Sequence, residues 1–196
     1  MIQISLDKEE YNRIVQAVTN LSQLQANNAL NSAINQTAKM ASTRLKNAAR
    51  QRYIVKSGKL NKAEKIRRAS SFSEGAEIRY KASPESIASF KTSKRKIRGV
   101  AAQVLRSGSL KDLTLDGRKA FFVGVSWKSK SGETGKHFGV FQRKSKSRYP
   151  IRQIVSIAAS KMIGNTNVYP QQEAYIEADL QMNIKEALIA ALGGRK

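Results

Sequence analysis

Cysteine is absent from this chain of 196 residues, which excludes disulfide bonds, thiolate catalysis and the softest metal ligands. Proline occurs three times and histidine once. No apolar run approaches the roughly 18 residues that a membrane-spanning helix needs. The opening residues MIQISLDKEE turn acidic without the apolar core of a signal peptide. These absences predict a soluble protein that is cytoplasmic where it is made, with no membrane partner.

Acidic residues are scarce, and the charges are unevenly distributed. The chain has 36 Lys or Arg and 14 Asp or Glu, a net charge of +22. Residues 44–152 contain 29 of the basic residues but 7 of the acidic ones, whereas 1–43 and 153–196 together contain seven of each. The whole excess therefore lies in the middle of the chain. A basic surface of this kind attracts polyanions, and we expect a basic middle between two charge-balanced ends.

The same scarcity of acids argues against an enzyme. No two carboxylates stand in the setting of a metal-dependent nuclease or a two-carboxylate site, and neither the phosphate-binding loop nor the Gly-x-Ser-x-Gly elbow occurs. The single histidine, His137, has no carboxylate close in sequence, so we interpret it as a surface residue. The composition predicts a non-enzyme without catalytic residues, metal ligands or cofactors.

Helical spacing of apolar residues marks both ends of the chain. Asp7 and Glu10 have the spacing of a capping box, which predicts a first helix behind them. A second helix is predicted from Leu24 to about Arg52, with a stripe made mostly of alanine that requires a partner surface. A short helix is predicted from Ile151, ended by Gly164-Asn165, and a last helix over 170–192.

Between these ends the pattern changes to short strands. The segments predicted as strands are EKIRRAS, AEIRYKA, GVAAQVLR, AFFVGVSW and HFGVFQ, with KSKSGETGK as a hairpin tip between the last two. We therefore predict an α+β fold with N-terminal helices, a small, mainly antiparallel sheet of about 4–5 strands and a C-terminal helix. A single domain, 1–196, would comprise a helical arm (1–52), a basic sheet core (53–164) and the helix 170–192.

Two basic runs are the candidate binding residues, and both are predicted to lie in loops. They comprise Lys91, Lys94, Arg95, Lys96 and Arg98 in the first run, and Arg143, Lys144, Lys146, Arg148 and Arg152 in the second. Such residues neutralise phosphates without reading sequence, and no base-reading motif is present. A merely solvated basic surface is the alternative. The aromatic residues in the strands, Phe121, Phe122, Trp127, Phe138 and Phe141, are assigned to packing rather than to base stacking.

Three segments carry a resemblance in their order and spacing. GKHFGVFQRKSKSRYPIRQI (135–154) combines a Gly-Val-Phe strand, a basic turn and a Pro-Ile step. ALNSAINQTAKMASTRLKNAARQRYIVKSGKL (29–60) is a long alanine-rich helix followed by a Val-Lys step, and SIASFKTSKRKIRGVAAQVLRSG (86–108) runs from a short apolar stretch through basic residues into a strand. Together they resemble the minor tail protein Z family of tailed bacteriophages, also described as tail completion proteins.

This resemblance implies a structural virion protein with no catalytic residues to carry over. It implies a neck or tail-end component that caps the tail and enables head-tail joining around the DNA channel. Its partners would be the tail terminator or tube-end ring and the head connector or stopper proteins, and it would form a homo-oligomeric ring. The location implied is the tail or neck of the virion, with the host cytoplasm during assembly.

Two questions stay open from the sequence. The basic runs could contact phage DNA non-specifically, or they could pair with acidic surfaces of adjoining rings. The alternative function is a free, non-enzymatic protein that binds nucleic acid without sequence specificity, which the composition alone would favour.

Overall fold

A computed structural model of the chain describes residues 1–6, 8–17, 21–70, 74–95, 99–129 and 131–193. Its helices are α1 (Lys8–Ala17), α2 (Gln23–Arg52), α3 (Ser57–Ala63), α4 (Ala159–Ile163) and α5 (Tyr169–Gly193), with a 3₁₀ turn at Ile87–Ser89. Its strands are β1 (Ile2–Ile4), β2 (Glu64–Arg67), β3 (Ala76–Tyr80), β4 (Pro84–Ser86), β5 (Lys91–Arg95), β6 (Gly99–Gln103), β7 (Lys111–Asp112), β8 (Thr114–Leu115), β9 (Arg118–Lys119), β10 (Phe121–Lys128), β11 (Thr134–Arg143), β12 (Ile151–Gln153) and β13 (Val155–Ala158).

The chain folds into two compact units. The first, here called the helical unit, comprises Met1–Ala49, Ala63–Lys81 and Ile163–Lys196. The second, here called the basic unit, comprises Arg50–Lys62 and Ala82–Met162. The interpretation of residues 1–196 as one domain stays a prediction.

The long helix α2 begins at a capping box and buries an alanine stripe. The hydroxyl of Ser22 accepts a hydrogen bond from the amide of Gln25, whose side-chain oxygen in turn accepts one from the amide of Ser22. Buried side chains then follow at helical spacing: Ala26, Ala29, Leu30, Ala33, Ile34, Thr37, Ala38, Ala41, Ser42, Leu45, Ala48 and Ala49. Small side chains on this stripe allow neighbouring backbones to approach closely.

In the helical unit, α2 is joined to α5 by polar contacts as well as by packing. The amide nitrogen of the buried Asn183 donates to the hydroxyl of Thr37 at 2.8 Å. Arg44 makes a two-pronged contact with Asp179, at 2.6 and 2.9 Å. Because a bidentate guanidinium–carboxylate pair has a restricted geometry, these contacts define how the two helices are aligned.

The sheet of the helical unit is antiparallel, in the order β1-β3-β2. Its central strand carries the fully buried Ile78, which lies opposite Ile2 on one side and Ile66 on the other. At the start of β2, the carboxylate of Glu64 accepts hydrogen bonds from Ser42, from Lys46 at 2.7 Å and from Tyr80 at 2.8 Å. This carboxylate therefore ties the sheet to α2.

The basic unit contains several small antiparallel sheets. In the described part of the chain these are β5-β6-β7, β10-β11-β12, β13-β4 and β8-β9. Gly99 opens β6 with φ of 84°, and a Cβ at this position would lie 2.6 Å from the carbonyl oxygen of Ala120. Glycine is required there because both the left-handed backbone and the close approach exclude a side chain. The core of the unit includes Tyr53, Leu60, Phe90, Val100, Val140 and Met162.

The structure confirms the predicted α+β class and the long helices at 24–52 and 170–192. The five segments predicted as strands all contain strands, and the hairpin tip lies between β10 and β11. Asp7, the proposed cap of the first helix, lies outside the described residues. Within those residues, no helix is both long enough and apolar enough to cross a membrane.

The short helix predicted from Ile151 is wrong over most of its length. Residues 151–153 pair with the end of β11 and residues 155–158 with β4, so the helix begins only at Ala159. Apolar residues at 151, 154, 155 and 158 satisfy a helical period, but so short a run does not distinguish a helix from buried strands. These residues form strands rather than a helix because their backbones pair with β11 and β4.

Candidate functional site

In the second basic run the loop prediction holds for Lys144, Lys146 and Arg148 but is wrong for Arg143 and Arg152, which belong to β11 and β12. The pairing of these two strands closes the base of the loop. Arg143, the last residue of β11, lies opposite Ile151 of β12, and the amide of Lys144 donates to the carbonyl of Pro150 at 3.0 Å. Residues 144–150 are exposed. The guanidinium of Arg148 lies 5.8 Å from the ring centroid of the exposed Tyr149. The loop therefore exposes cationic side chains, and the sheet fixes its two ends.

Arg152 is oriented by a buried side chain. It lies opposite Gln142 in the β11–β12 pair, and its guanidinium donates to the Gln142 side-chain oxygen at 2.9 Å. Gln142 is 2% exposed and uses its amide nitrogen to donate to the carbonyl of Arg118 at 2.7 Å. Because the polar atoms of a buried amide need partners, this chain of contacts restricts Gln142 and, through it, Arg152.

The first basic run was predicted as a loop, and for residues 91–95 this is wrong. Lys91–Arg95 form β5, which pairs with β6, and the side chains of Lys91 and Lys94 are exposed. Charged residues are unfavourable in central strands, but on an edge strand they prevent association with the edge strands of other molecules. The side chain of Arg95, and Lys96 and Arg98 entirely, lie outside the described residues.

The two runs belong to different sheets of one strongly charged unit. The basic unit contains 23 Lys or Arg and 4 Asp or Glu, whereas the helical unit contains 13 and 10. In the part of the chain that the structure describes, no carboxylate forms an ion pair with Lys91, Lys94, Arg143, Lys144, Lys146, Arg148 or Arg152. Asp116 pairs instead with Arg118, at 2.5 Å. The charge of these seven residues is therefore available to an external partner.

The assignment of all strand aromatics to packing is wrong for two of them. Phe138 of β11 is 72% exposed and Phe122 of β10 is 43% exposed, whereas Phe141 is buried. Both exposed rings line a groove of about 440 Å³, whose other lining residues are Lys56, Ala88, Thr92, Val123, Gly124 and Gly139. The side chain of Trp127 lies outside the described residues. Strand alternation alone could not identify the solvent-facing side, since both faces carry aromatics.

A different exposed stripe lies on α5 of the helical unit. Tyr175, Met182 and Ile189 are 58%, 46% and 58% exposed and lie seven residues apart. Seven residues are close to two helical turns, so these side chains share one line along the helix. The buried Ile176, Asn183 and Ile184 lie on other sides of α5. This line offers apolar side chains that another protein could cover.

The described residues contain few side chains suited to metal binding or acid–base catalysis. No group of three or more His, Asp or Glu side chains there could hold a metal ion. The side chain of His137 lies outside the described part, so its interpretation as a surface residue stays a prediction.

A family model, that of the prophage minor tail protein Z (GPZ), matches residues 13–192. Since the match covers most of the chain, the protein belongs to the prophage minor tail protein Z family. No curated protein and no solved structure matches the chain.

Membership of this family defines the class of the protein. It is a structural component of a phage tail, and the family has no known catalytic role. A tail protein binds other tail proteins, and its location is the tail of the virion. The exposed line on α5 and the charge of the basic unit are the two surfaces on which such contacts can be sought.

Proposed function

We propose that this tail protein acts as a tail completion component at the neck, where it caps the tail and enables joining to the head around the DNA channel. In this proposal the basic unit faces the DNA path, and copies of the chain form a ring. The observation that carries the proposal is the segregation of charge, since the basic unit contains 23 Lys or Arg against 4 acids. Contact with a polyanion such as DNA would account for this imbalance.

The chemistry proposed for the basic unit is phosphate neutralisation without sequence readout. Lys144, Lys146 and Arg148 lie on an exposed loop whose base is held by the β11–β12 pairing. Cations that approach a duplex release its condensed counterions, which makes binding strong at low salt and weak at high salt. A DNA end moving through a channel needs this kind of contact, because it holds every sequence equally.

The proposed protein-facing surface is the exposed line on α5. Burial of Tyr175, Met182 and Ile189 against a neighbouring subunit or tail ring would remove apolar area from water. The helical unit is nearly balanced in charge, with 13 basic and 10 acidic residues, so it repels a neighbour less than the basic unit does. The tail terminator or tube-end ring and the head connector or stopper proteins are the proposed partners.

The direct test of the proposal is electron microscopy of lysates from a phage or prophage in which this gene is interrupted. We expect filled heads and full-length tails that lie unjoined, and restoration of joined particles when the intact gene is supplied in trans. Normal infectious particles would exclude the completion role. In that case a free nucleic-acid-binding protein, acting without sequence specificity, becomes the better account.

The role of the basic loop is tested by reversing three charges, with R143E, K144E and K146E combined. We expect weaker binding to non-specific duplex, and a slope of log K against log salt that is smaller by about one for each phosphate that the loop no longer neutralises. The matched control reverses three exposed lysines of the helical unit, K65E, K81E and K185E, and so changes the net charge equally.

Two results would redirect this part of the proposal. If both triple variants weaken binding equally, total charge matters and the loop has no special role. If neither changes DNA binding but the loop variant abolishes head joining, the loop pairs with an acidic surface of an adjoining ring.

A further inference from the structure

Phe138 packs closely over Gly124 of the neighbouring strand and is nevertheless largely exposed to solvent. Its ring atoms Cε1, Cδ1 and Cζ lie 2.8, 3.1 and 3.4 Å from the point where a Cβ of residue 124 would stand, and only a glycine leaves this space free. Gly124 is the direct cross-strand partner of Phe138. Nevertheless, 72% of Phe138 stays exposed. The glycine therefore leaves room for the ring beside the backbone of β10, while most of the Phe138 surface stays accessible to solvent.

One cation, Lys56, lines the groove beside Phe138, and a second, Lys94, lies on a strand that contributes to the groove. The ammonium of Lys56, at one wall of the groove, donates to the carbonyl of Ala88 at 3.0 Å and keeps two further hydrogens for other acceptors. Thr92 of β5 forms part of another wall. Because alternate residues of a strand share a face, Lys94 lies on the same side of β5 as Thr92. Phe122 lies in the same groove.

We propose that this groove binds single-stranded nucleic acid, with a base stacked on the exposed ring of Phe138 and the flanking phosphates neutralised by Lys56 and Lys94. An exposed aromatic surface beside cations is how sequence-tolerant single-strand sites are built, since every base has a π-face. The occupant is argued from charge, because a unit with 23 basic and 4 acidic residues attracts polyanions.

This inference goes beyond the proposed contact with duplex DNA. In a duplex the bases are already stacked on one another, so Phe138 can add little to binding that depends on the phosphates. An unpaired strand, by contrast, offers bases that stack on aromatic side chains. The groove would thus favour an end or gap where strands are unpaired, and its function does not depend on the neck role.

The test compares binding of an oligothymidylate of about 12 nucleotides, within the usual range of single-strand site sizes, with binding of a duplex of equal length. The full chain is used, and binding is followed by fluorescence anisotropy. We expect Phe138→Ala to weaken single-strand binding about tenfold and to leave duplex binding unchanged. We expect Phe138→Trp to retain single-strand binding, because an indole offers a larger stacking face.

A second variant alters the platform without touching the ring. Gly124→Ala places a methyl group 2.8 Å from the nearest ring atom of Phe138, so the ring must move. We expect single-strand binding to weaken, with duplex binding unchanged. Leu24→Ala is the control, since it removes an exposed apolar side chain from the helical unit, outside the surfaces proposed for binding, and we expect it to change neither. Thermal unfolding of each variant verifies that the fold is retained.

Three outcomes would overturn the proposal. The first is that Phe138→Ala binds the single strand as tightly as the unchanged chain does. The second is that Phe138→Ala weakens binding of the single strand and of the duplex by the same factor. The third is a change in self-association, seen by sedimentation, with unchanged single-strand binding, which would make the groove a contact between protein chains. None of these results alters the duplex salt slope or the microscopy that test the neck role, so failures of the two proposals are distinguishable.

Discussion

Glu64 connects three side chains that are distant in sequence. Ser42 and Lys46 of α2 and Tyr80 of β3 all donate to its carboxylate. Burial by itself would raise the pKa of Glu64, but the hydrogen bonds from Lys46, Ser42 and Tyr80 outweigh burial and lower it below its ordinary value. Burial and the same carboxylate raise the pKa of Tyr80, which therefore stays a donor. Helix and sheet of the helical unit are thus joined by one charged group.

Replacing Glu64 by Gln tests this junction. The change removes the ion pair with Lys46 and leaves that half-buried ammonium without its carboxylate, so we expect the free energy of unfolding to fall by about 1–3 kcal/mol. Urea denaturation measures it. Glu74→Gln is the control, because its carboxylate is exposed and lies 3.9 Å from Arg67, and we expect a decrease below about 0.5 kcal/mol. Equal decreases in the free energy of unfolding for the two variants would contradict the role of Glu64 as a junction between helix and sheet.

The pH dependence of this variant has a definite sign. Because the pKa of Glu64 is lowered on folding, the unfolded chain binds the proton more readily than the folded one. The stabilisation is full above the ordinary Glu value of about 4.3 and is lost as pH falls through the folded-state value. We expect the difference in stability between the unchanged chain and Glu64→Gln to shrink across this range, measured by urea denaturation at several pH values.

Some single residues of the candidate site were predicted correctly from the sequence and others were not. The cations of the second run, such as Lys144 and Lys146, are exposed as the composition indicates. Phe138 was assigned to packing, because a strand aromatic is usually buried and nothing in the pattern marks this ring as exposed. The nearest signal was Gly124, since a glycine inside a strand often marks a close approach. Lys56 is far in sequence from both, and only the fold brings it to the groove.

At the scale of elements, α2 was the most predictable part of the chain. Thirty residues without proline or glycine, and a regular apolar period, were sufficient to define its extent. The alanine stripe indicated that a partner surface was needed, but not which one. The structure supplies α5 and the sheet: Thr37 contacts Asn183, and Ser42 contacts Glu64.

The closeness of this packing is tested by Ala41→Leu. Ala41 is fully buried, so a larger side chain has no free space, and we expect the free energy of unfolding to fall by about 1–3 kcal/mol. Gln36→Leu, on the exposed side of the same helix, should change it by less than about 0.5 kcal/mol. Urea denaturation compares the two. A neutral Ala41→Leu would mean that the stripe is loosely packed.

Short elements were less predictable than long ones. Lys91–Arg95 is a strand although it is rich in cations, and residues 151–158 form strands although their apolar spacing suits a helix. In both cases backbone pairing with a distant segment, β6 or β11 and β4, provides the decisive hydrogen bonds. Such pairing is non-local and leaves little trace in the segment itself.

At the scale of the whole molecule, the charge boundary follows the boundary between the compact units. The middle of the sequence carries the excess, and most of it lies in the basic unit, with 23 basic and 4 acidic residues. Like charges at this density repel one another in the folded state. Stability should therefore depend on what screens or binds them.

We expect the midpoint of thermal unfolding to rise with sodium chloride by a few degrees, since about 1 kcal/mol corresponds to roughly 2–4 °C in a chain of this size. At matched ionic strength a polyanion such as polyphosphate should raise it further, because it binds the folded unit preferentially. The variant R143E/K144E/K146E should respond less to both. Scanning calorimetry measures the midpoint, and a fall with added salt would contradict the expectation.

The sequence alone was sufficient to determine the long helices, the α+β class and the concentration of positive charge, because each of these depends on residues that are close together in the chain. The meeting of Lys56 with Phe138, the exposure of that ring, the junction at Glu64 and the alignment of α2 with α5 are products of the tertiary structure. They join residues tens of positions apart, and which distant partners meet is decided by the packing of the whole unit rather than by any one segment.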